Sequence, residues 1–411
     1  MGKARCRALA LYLDLSSADF SRQAYLSDSS VRILHLCLSN FYVDGFSYQE
    51  NELVQQHVQD GHEVEVIAST EIIRPDGTLG HVTPQRYLGT DGAMVERLPY
   101  RRLAPRALMA KLRMHPDVYR RIAAFRPDAI LFHCACGWEI RTAARYVRDN
   151  PHVKLYIDSH EDFVNSARSW ASKWLLHYAY YRPILLSSLD AVRKVLPVSI
   201  SCLEFLRDFY SVPPEQLEFF PLGGVVPEDD AYFEARGRVR AELGFTDTDI
   251  MVVQSGKIDA TKKLVEALEA FAGVPDSRLR FVVPGLIQPD VAARVQELVN
   301  ADPRIRLLGW KTADELRAIL SAADVYCQPG TQSATMQMAV SNRCAIILDD
   351  IASHQPYLDG NGWLVGRERS LHDAFRALSE NSTALPAMQA QSHALALRML
   401  DYRQLAKRIY S

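Results

Sequence analysis

What the chain lacks narrows its function first. No apolar run reaches the ~18 residues that a bilayer-crossing helix needs. No sign of charge dominates: 47 Lys and Arg face 49 Asp and Glu, a formal net charge of −2. That balance argues against a protein that coats nucleic acid through a globally basic surface, so any polyanion contact is local. Tandem repeats and low-complexity tracts are missing. Cysteine is sparse, odd in number and scattered, at 6, 37, 134, 136, 202, 327 and 344, which is no disulfide framework. Cys134 and Cys136 lack a second pair at zinc spacing. Cys37 and Cys327 sit in apolar, strand-like runs, a pattern of reduced, buried thiols in a cytoplasmic protein. The short apolar stretch at 8–13 is interrupted by Asp14 and has no small-residue cleavage site, so it reads as no signal peptide. Residues 1–30 read as a weakly patterned extension, peripheral to the fold.

What remains is an ordinary packed composition, with 48% hydrophobic and 23% charged residues over 411 positions, long enough for two to three domains at ~100–200 residues each. Strand and helix patterns alternate twice. Residues 31–38, 63–68, 129–133, 154–158 and 195–198 read as buried strands, with helices at 48–60, 139–149 and 199–209. The segment 219–230, with Pro221, Gly223, Gly224 and Pro227, reads as a linker. The rhythm then restarts, with strands at 250–255, 280–283, 305–308, 323–327 and 345–348. Helices fall at 262–271, 291–300, 314–321 and through residue 337. The fold class expected is α/β, two doubly wound Rossmann-like domains facing across a central cleft, with ligands at the carboxyl ends of the strands.

Two stretches carry chemistry. Ser255-Gly256-Lys257-Ile258-Asp259-Ala260-Thr261-Lys262-Lys263 follows the first strand of the second half and opens a helix. Lys257 and Lys262 can converge there on one anion, helped by unpaired backbone N–H groups. The competing reading is a solvated turn with surface lysines. Gln328-Pro329-Gly330-Thr331-Gln332-Ser333-Ala334-Thr335-Met336-Gln337 follows the 323–327 strand. Its Ser333 and Thr335 can cap a helix or donate to a phosphate. The two stretches occupy equivalent strand-end positions. Asp247-Thr248-Asp249, the only Asp-x-Asp, reads as a polar turn before a strand and not as a metal site.

Gly256-Lys257 with Lys262 resembles the "G-R/K-x-x-x-x-K" pattern of glycosyltransferase family 4, retaining enzymes of the GT-B fold. Collinear segments support the resemblance. These are Gly61-His62-Glu63-Val64, Leu308-Gly309-Trp310 with Asp314-Glu315-Leu316, Ala322-Ala323-Asp324-Val325, and Asp359-Gly360-Asn361-Gly362-Trp363-Leu364-Val365. The resemblance spans roughly residues 31–370 and implies an acceptor domain over 31–221 and a nucleotide-sugar donor domain over 226–387. It also implies a carboxyl-terminal helix, about 388–411, that returns to the first domain. Lys257 and Lys262 fall at the family's diphosphate positions, and Trp310 and Lys311 where it meets the nucleobase. Gly45 matches the glycine whose backbone approaches phosphate, and His160 matches the histidine near sugar and acceptor. Thr331, Gln332, Ser333 and Thr335 lie in the turn that would cradle the diphosphate. The family usually carries two glutamates eight residues apart. Here Gln337 stands at the second position and Gln332 is the nearest counterpart of the first. A glutamine amide still accepts and donates to ribose hydroxyls.

The activity implied is retaining, metal-independent transfer of a sugar from a nucleoside diphosphate sugar, as co-substrate and with no other cofactor. The acceptor hydroxyl would lie on a glycan, a lipid-linked molecule or a small molecule. The glutamine replacements keep open a second reading, a catalytically silent relative that binds nucleotide or glycan as a partner subunit. A nucleotide-sugar epimerase of the same fold would need paired carboxylates, and none is placed for it. Between Arg101 and Arg126 lie eight Lys or Arg and one acid, Asp117, interleaved with Leu103, Leu108, Leu112, Val118 and Ile122. That stretch reads as a solvated basic face or as a peripheral contact with an anionic membrane. Trp170, Trp174, Tyr178, Tyr180 and Tyr181 read as core packing or as a stacking surface for an acceptor sugar.

Overall fold

The computed structural model describes residues 30–74 and 78–411. All but the last residue of the 1–30 extension, with it Cys6 and the apolar stretch read as no signal peptide, lies outside the described residues. The rest forms two compact units, the first ending at Val195 and including Ile409–Ser411, the second running from Leu196 to Arg408.

The strands of the first half are β1 (Arg32–Cys37), β2 (Glu63–Ser69), β3 (Glu71–Ile73), β4 (Leu79–His81), β5 (Arg86–Leu88), β6 (Met94–Leu98), β7 (Ala129–Phe132), β8 (Lys154–Ser159) and, running across the boundary at Val195, β9 (Lys194–Pro197). The sheet order is β5-β6-β2-β1-β7-β8-β9. In this sheet the pairs of β1 with β2 and β7, of β2 with β6, and of β7 with β8 are parallel and the β5–β6 pair is antiparallel, while β3 and β4 form a separate antiparallel pair. Between β1 and β2 runs the Gln49–Gln59 helix, with Glu50 and Glu52 in its first turn, where carboxylates suit the positive end of the helix dipole. Leu53, Val54 and His57 on its inner face are buried, the i, i+4 spacing of an amphipathic helix. Sequence periodicity finds β1, β2, β7 and β8 but misses β3 to β6. Strands of three to five residues with charged members give too short an alternation to register.

The second unit repeats the plan. Its strands are β10 (Ile250–Val253), β11 (Gly256–Ile258), β12 (Leu279–Ile287), β13 (Ile305–Gly309), β14 (Val325–Gln328), β15 (Ala345–Asp349) and β16 (Gly362–Val365). The order is β11-β12-β10-β14-β15-β16, with β13 also on β12. Successive side chains of a strand leave opposite faces, and the core divides accordingly. Ile250, Val252, Phe281, Val325, Cys327 and Ile347 enter one cluster, and Met251, Val253, Val282, Tyr326, Ile346 and Leu348 the other. Both faces are therefore dry, as a parallel sheet covered by helices requires.

Two segments differ from expectation. Only the first part of 219–230 is irregular, since a helix begins at Asp229 and runs to Leu243. The tail is two helices, Leu385–Met399 and Tyr402–Tyr410. Leu395, Ala396 and Leu400 belong to the second unit's core. The described cysteines, Cys37, Cys134, Cys136, Cys202, Cys327 and Cys344, are free and buried.

Candidate functional site

In the second unit, β10 and β14 are adjacent parallel strands, with Val252 beside Val325, so the loops that leave their carboxyl ends are neighbours. After β10 the chain turns through Gly256 at φ +105°, a backbone conformation glycine adopts at little cost, and enters β11. A short helical turn, Ala260–Lys262, follows before the Leu264–Ala272 helix. The Gln254 amide donates to the Lys262 carbonyl at 2.7 Å and pins this loop. The other loop presses directly onto it. A Cβ added at Gly330 would stand 2.3 Å from the Thr261 carbonyl oxygen, and the Thr331 N–H donates to that oxygen at 3.3 Å.

Lys262 is the hinge of this arrangement. Its Nζ donates to the carbonyl of Thr331 at 3.0 Å and to that of Gln332 at 3.5 Å. Burial lowers its ammonium below the ordinary lysine range. Carbonyl dipoles hold the cation without cancelling its charge, whereas neighbouring Lys263 is committed to Asp349 at 2.5 Å. Lys257 stands exposed on β11, beside Leu286 of β12.

Below the loop lies a hydroxyl and amide network. Ser255 Oγ and the Tyr326 hydroxyl are 3.2 Å apart, and Tyr326 and Thr335 Oγ1 2.8 Å. Thr335 and Ser333 Oγ are 2.7 Å apart, and Ser333 donates to Gln328 Oε1 at 2.8 Å. The Gln328 amide in turn donates to the Thr331 carbonyl. Ser333 occupies the N-cap position of the Ala334–Ser341 helix, yet its side chain makes no capping bond, because Gln328 and Thr335 engage it instead. The hydroxyls therefore shape the turn and leave first-turn N–H groups without a side-chain cap. Gln332 and Gln337 converge on one atom. Their amides lie 3.4 and 3.1 Å from the Tyr357 hydroxyl. Gln337 and Tyr357 are fully buried, and Gln337 Oε1 finds no partner among the described residues.

The structure thus joins Lys262, Thr331, Gln332, Ser333, Thr335 and Gln337, with Gly256 in the facing turn. Trp310 and Lys311 follow β13, two strands from β10, roughly 10 Å at the usual strand spacing. Trp310 is 67% exposed, and Lys311 lies 3.7 Å from Glu315. Asp249 of the Asp-x-Asp accepts from the Thr246 backbone and side chain and pairs with Arg280 at 2.7 Å. That is turn chemistry.

The first unit holds the other group. Parallel register places His35 of β1 beside Leu131, and Phe132 beside Ile157. Counting by two along each strand, His35, His133 and Asp158 share one face, and His160 follows just past the end of β8. His35 Nδ1 lies 3.0 Å from His133 Nε2, and His35 Nε2 lies 2.9 Å from His57 Nδ1. His133 Nδ1 meets Asp158 Oδ2 at 2.5 Å, and Asp158 Oδ1 accepts the Cys134 N–H at 2.8 Å. These three rings and the carboxyl are fully buried. Burial and the adjoining imidazoles push His35 well below the ordinary imidazole range. For Asp158 burial opposes ionisation, but His133 and His160 outweigh it and hold the carboxyl well below the usual range. His160 Nε2 lies 3.6 Å from Asp158 Oδ1. Gly45 sits at φ +78° in the loop after β1, where Asp44 accepts from Thr90 N–H and hydroxyl.

The sequence missed His35, His57, His133, Tyr326 and Tyr357, since a lone polar residue in an apolar run looks like core. Asp158 stands two positions before His160 in the sequence, but only the fold shows what it faces. The aromatic cluster splits. Tyr181 is buried and donates to the Lys111 carbonyl, and Tyr180 donates to that of Leu112 at 3.1 Å. Trp170, Trp174 and Tyr178 are exposed. The basic stretch is broken into helices Arg106–Leu112 and Val118–Phe125. Arg113 pairs with Glu71 and Arg121 with Glu96, while Leu103 and Leu108 remain exposed.

Residues 47–223 match the sequence model of the glycosyl transferase 4-like domain. No curated protein is significantly similar to the whole sequence. Among solved structures, a glycosyltransferase from Rickettsia africae ESF-5 superposes with a TM-score of 0.64 at 12% identity, covering 93% of this chain and 98% of that one. Anabaena HepE in complex with UDP gives 0.62 at 13%, covering 92% and 98%. Sucrose-phosphate synthase from Thermosynechococcus elongatus gives 0.61 at 15%, covering 92% and 97%. At such identities these likenesses show the fold.

Proposed function

We propose, from the premise that this chain is a GT-B protein carrying a glycosyl transferase 4-like domain, that it moves a sugar from a nucleoside diphosphate sugar to a hydroxyl acceptor with retention. The observation that carries the reading is Lys262, whose ammonium is held by two carbonyls at the lip of the 331–335 turn. Breaking a glycosyl–phosphate bond leaves negative charge on the departing diphosphate. A fixed lysine beside uncapped helix N–H groups stabilises that charge, the kind of preorganised electrostatics that dominates many catalytic steps. Lys257, exposed and able to reorient, adds a second cation, and Gly256 lets the backbone approach. Gln337, with an unpaired buried carbonyl, and Gln332 suit ribose hydroxyls, and Trp310 and Lys311 the base. In a same-face mechanism a leaving phosphate oxygen takes the acceptor proton, so neither a protein base nor a metal is required. HepE has been solved with UDP and with UDP-glucose, which supports a uridine donor as the first to try.

In this reading the first unit takes the acceptor, with His160 near it, while Gly45 keeps its role as the glycine whose backbone approaches phosphate. A lipid-linked acceptor and peripheral contact with an anionic membrane fit Leu103 and Leu108, exposed beside Arg102 and Arg106. The free buried thiols support a cytoplasmic setting. One observation favours a second reading, a silent partner subunit: the amide N–H groups of Gln332 and Gln337 are both engaged by Tyr357. Incubation with labelled nucleoside diphosphate sugars and a panel of hydroxyl acceptors decides between them. Transfer with the donor's anomeric configuration kept is expected. Neither transfer nor donor hydrolysis, with nucleotide binding intact, would establish the silent subunit.

A further inference from the structure

The buried imidazole chain of the first unit has no part in the transfer step described above. Each of its two ring–ring contacts holds a single proton, because two N–H groups cannot point at each other and two lone pairs do not bond. The chain ends on Asp158 Oδ2. The second oxygen of that carboxylate takes the Cys134 N–H and faces His160. A carboxylate in a dry interior persists only when paired and hydrogen-bonded, and here both conditions are met from one side by His133 and Cys134. The other side is left open to His160, whose side chain is 30% exposed.

We propose that Asp158, anchored by the His57–His35–His133 chain, is the positioning residue that keeps His160 a cationic hydrogen-bond donor. His160 then meets negative charge in the reaction and does not act as its base. This rests on the transferase reading for its place in catalysis, though the pairing stands on geometry alone. The groups around His160 act in the same direction. Burial disfavours the charged ring, but Asp158 outweighs it, and Glu50 from the Gln49–Gln59 helix and Glu161 from the same loop add to it, so that His160 titrates at about 9. The nearby Cys134 and Cys136 thiols are kept protonated by burial. His133 lies on the far side of the carboxylate. A ring charged at neutral pH gives a hydrogen bond and cannot take a proton, which suits contact with an anionic group of the acceptor.

The test is a ring-carbon and ring-nitrogen NMR titration of the full chain labelled in histidine, between pH 5.5 and 10. In the parent protein His160 is expected to titrate near 9, with His35 neutral and silent throughout the range. In Asp158→Asn the His160 midpoint drops by at least about one unit, the loss of one close charge. If that variant does not fold, the parent titration decides alone. A His160 midpoint near the ordinary imidazole value of about 6.5, one unmoved in a folded Asp158→Asn, or a His35 that titrates with it overturns the proposal. The transferase reading fails separately. No transfer with any donor, beside a His160 that titrates near 9 and responds to Asp158→Asn, sinks that reading and leaves the pair intact. Where transfer occurs, the basic limb of kcat/KM should move with the NMR midpoint.

Discussion

The two chemistry-bearing regions solve opposite problems with opposite materials. The second unit seats one cation on two carbonyls beside a neutral network of five hydroxyls and three amides. The first unit threads ionisable groups through a dry interior and balances them against each other. Neutral dipoles give a charge environment that pH does not alter, suited to an anion that is charged at every physiological pH. Coupled imidazoles and a carboxylate set one group's protonation and hold it. The contrast teaches that the lysine is seated on backbone carbonyls with its carboxylate, Asp259, acting as a secondary influence, whereas the histidine is governed by one adjacent carboxylate.

The sharpest way to break the comparison is Lys262→Ala. It should lower transfer at least tenfold, about 1.4 kcal/mol of lost anion stabilisation, while the His160 titration stays where it is. Unchanged kinetics at both limiting and saturating donor would take this lysine out of the site. Smaller is Tyr357→Phe, which removes the hydroxyl shared by Gln332 and Gln337. The two amide hydrogen bonds lost with it, one of them long at 3.4 Å, predict about 1 kcal/mol of stability and weaker nucleoside diphosphate binding by isothermal calorimetry, with no change in the pH profile.

The pH dependence of stability sharpens the contrast further, because the two histidines have opposite signs. His160, raised to about 9, contributes stability that is complete below the unfolded imidazole value near 6.5 and is lost as pH climbs through 9. His35, lowered by burial, contributes stability that is present above about 6.5 and lost as pH falls below it. Thermal unfolding followed between pH 5 and 10 should show a maximum near neutrality. His160→Gln should flatten the basic side alone, and a basic side unchanged by that substitution would refute the assignment. The smallest effect belongs to Leu103→Ser with Leu108→Ser. Both side chains are exposed, so stability should shift by no more than about 0.5 kcal/mol. Sedimentation with anionic vesicles should drop, and if the parent protein does not sediment with them the membrane contact is refuted.

The alternation of buried runs and amphipathic stretches made both parallel sheets legible, because long apolar strands and helices leave a periodicity in the sequence. The short β3 to β6 strands leave almost none. The Lys262 turn was legible because glycine, lysine and hydroxyl residues cluster locally in each of two strand-end stretches, 255–263 and 328–337. The His35–His133–Asp158 chain was not. Its members lie 98 and 25 positions apart, and only the parallel register of β1, β7 and β8 brings them level. Gln332 and Gln337 were visible, but their convergence on Tyr357 depends on a loop that carries no local signal.

The close seating of Gly330 on Thr261 and Lys262 ties two segments nearly seventy positions apart into a single mechanical part. Neither can gain or lose a residue without the other being refitted, so insertions that drift freely through this molecule's outer turns should be barred from both. Any attempt to reshape donor preference by grafting one of these turns from another protein would have to transplant the pair together.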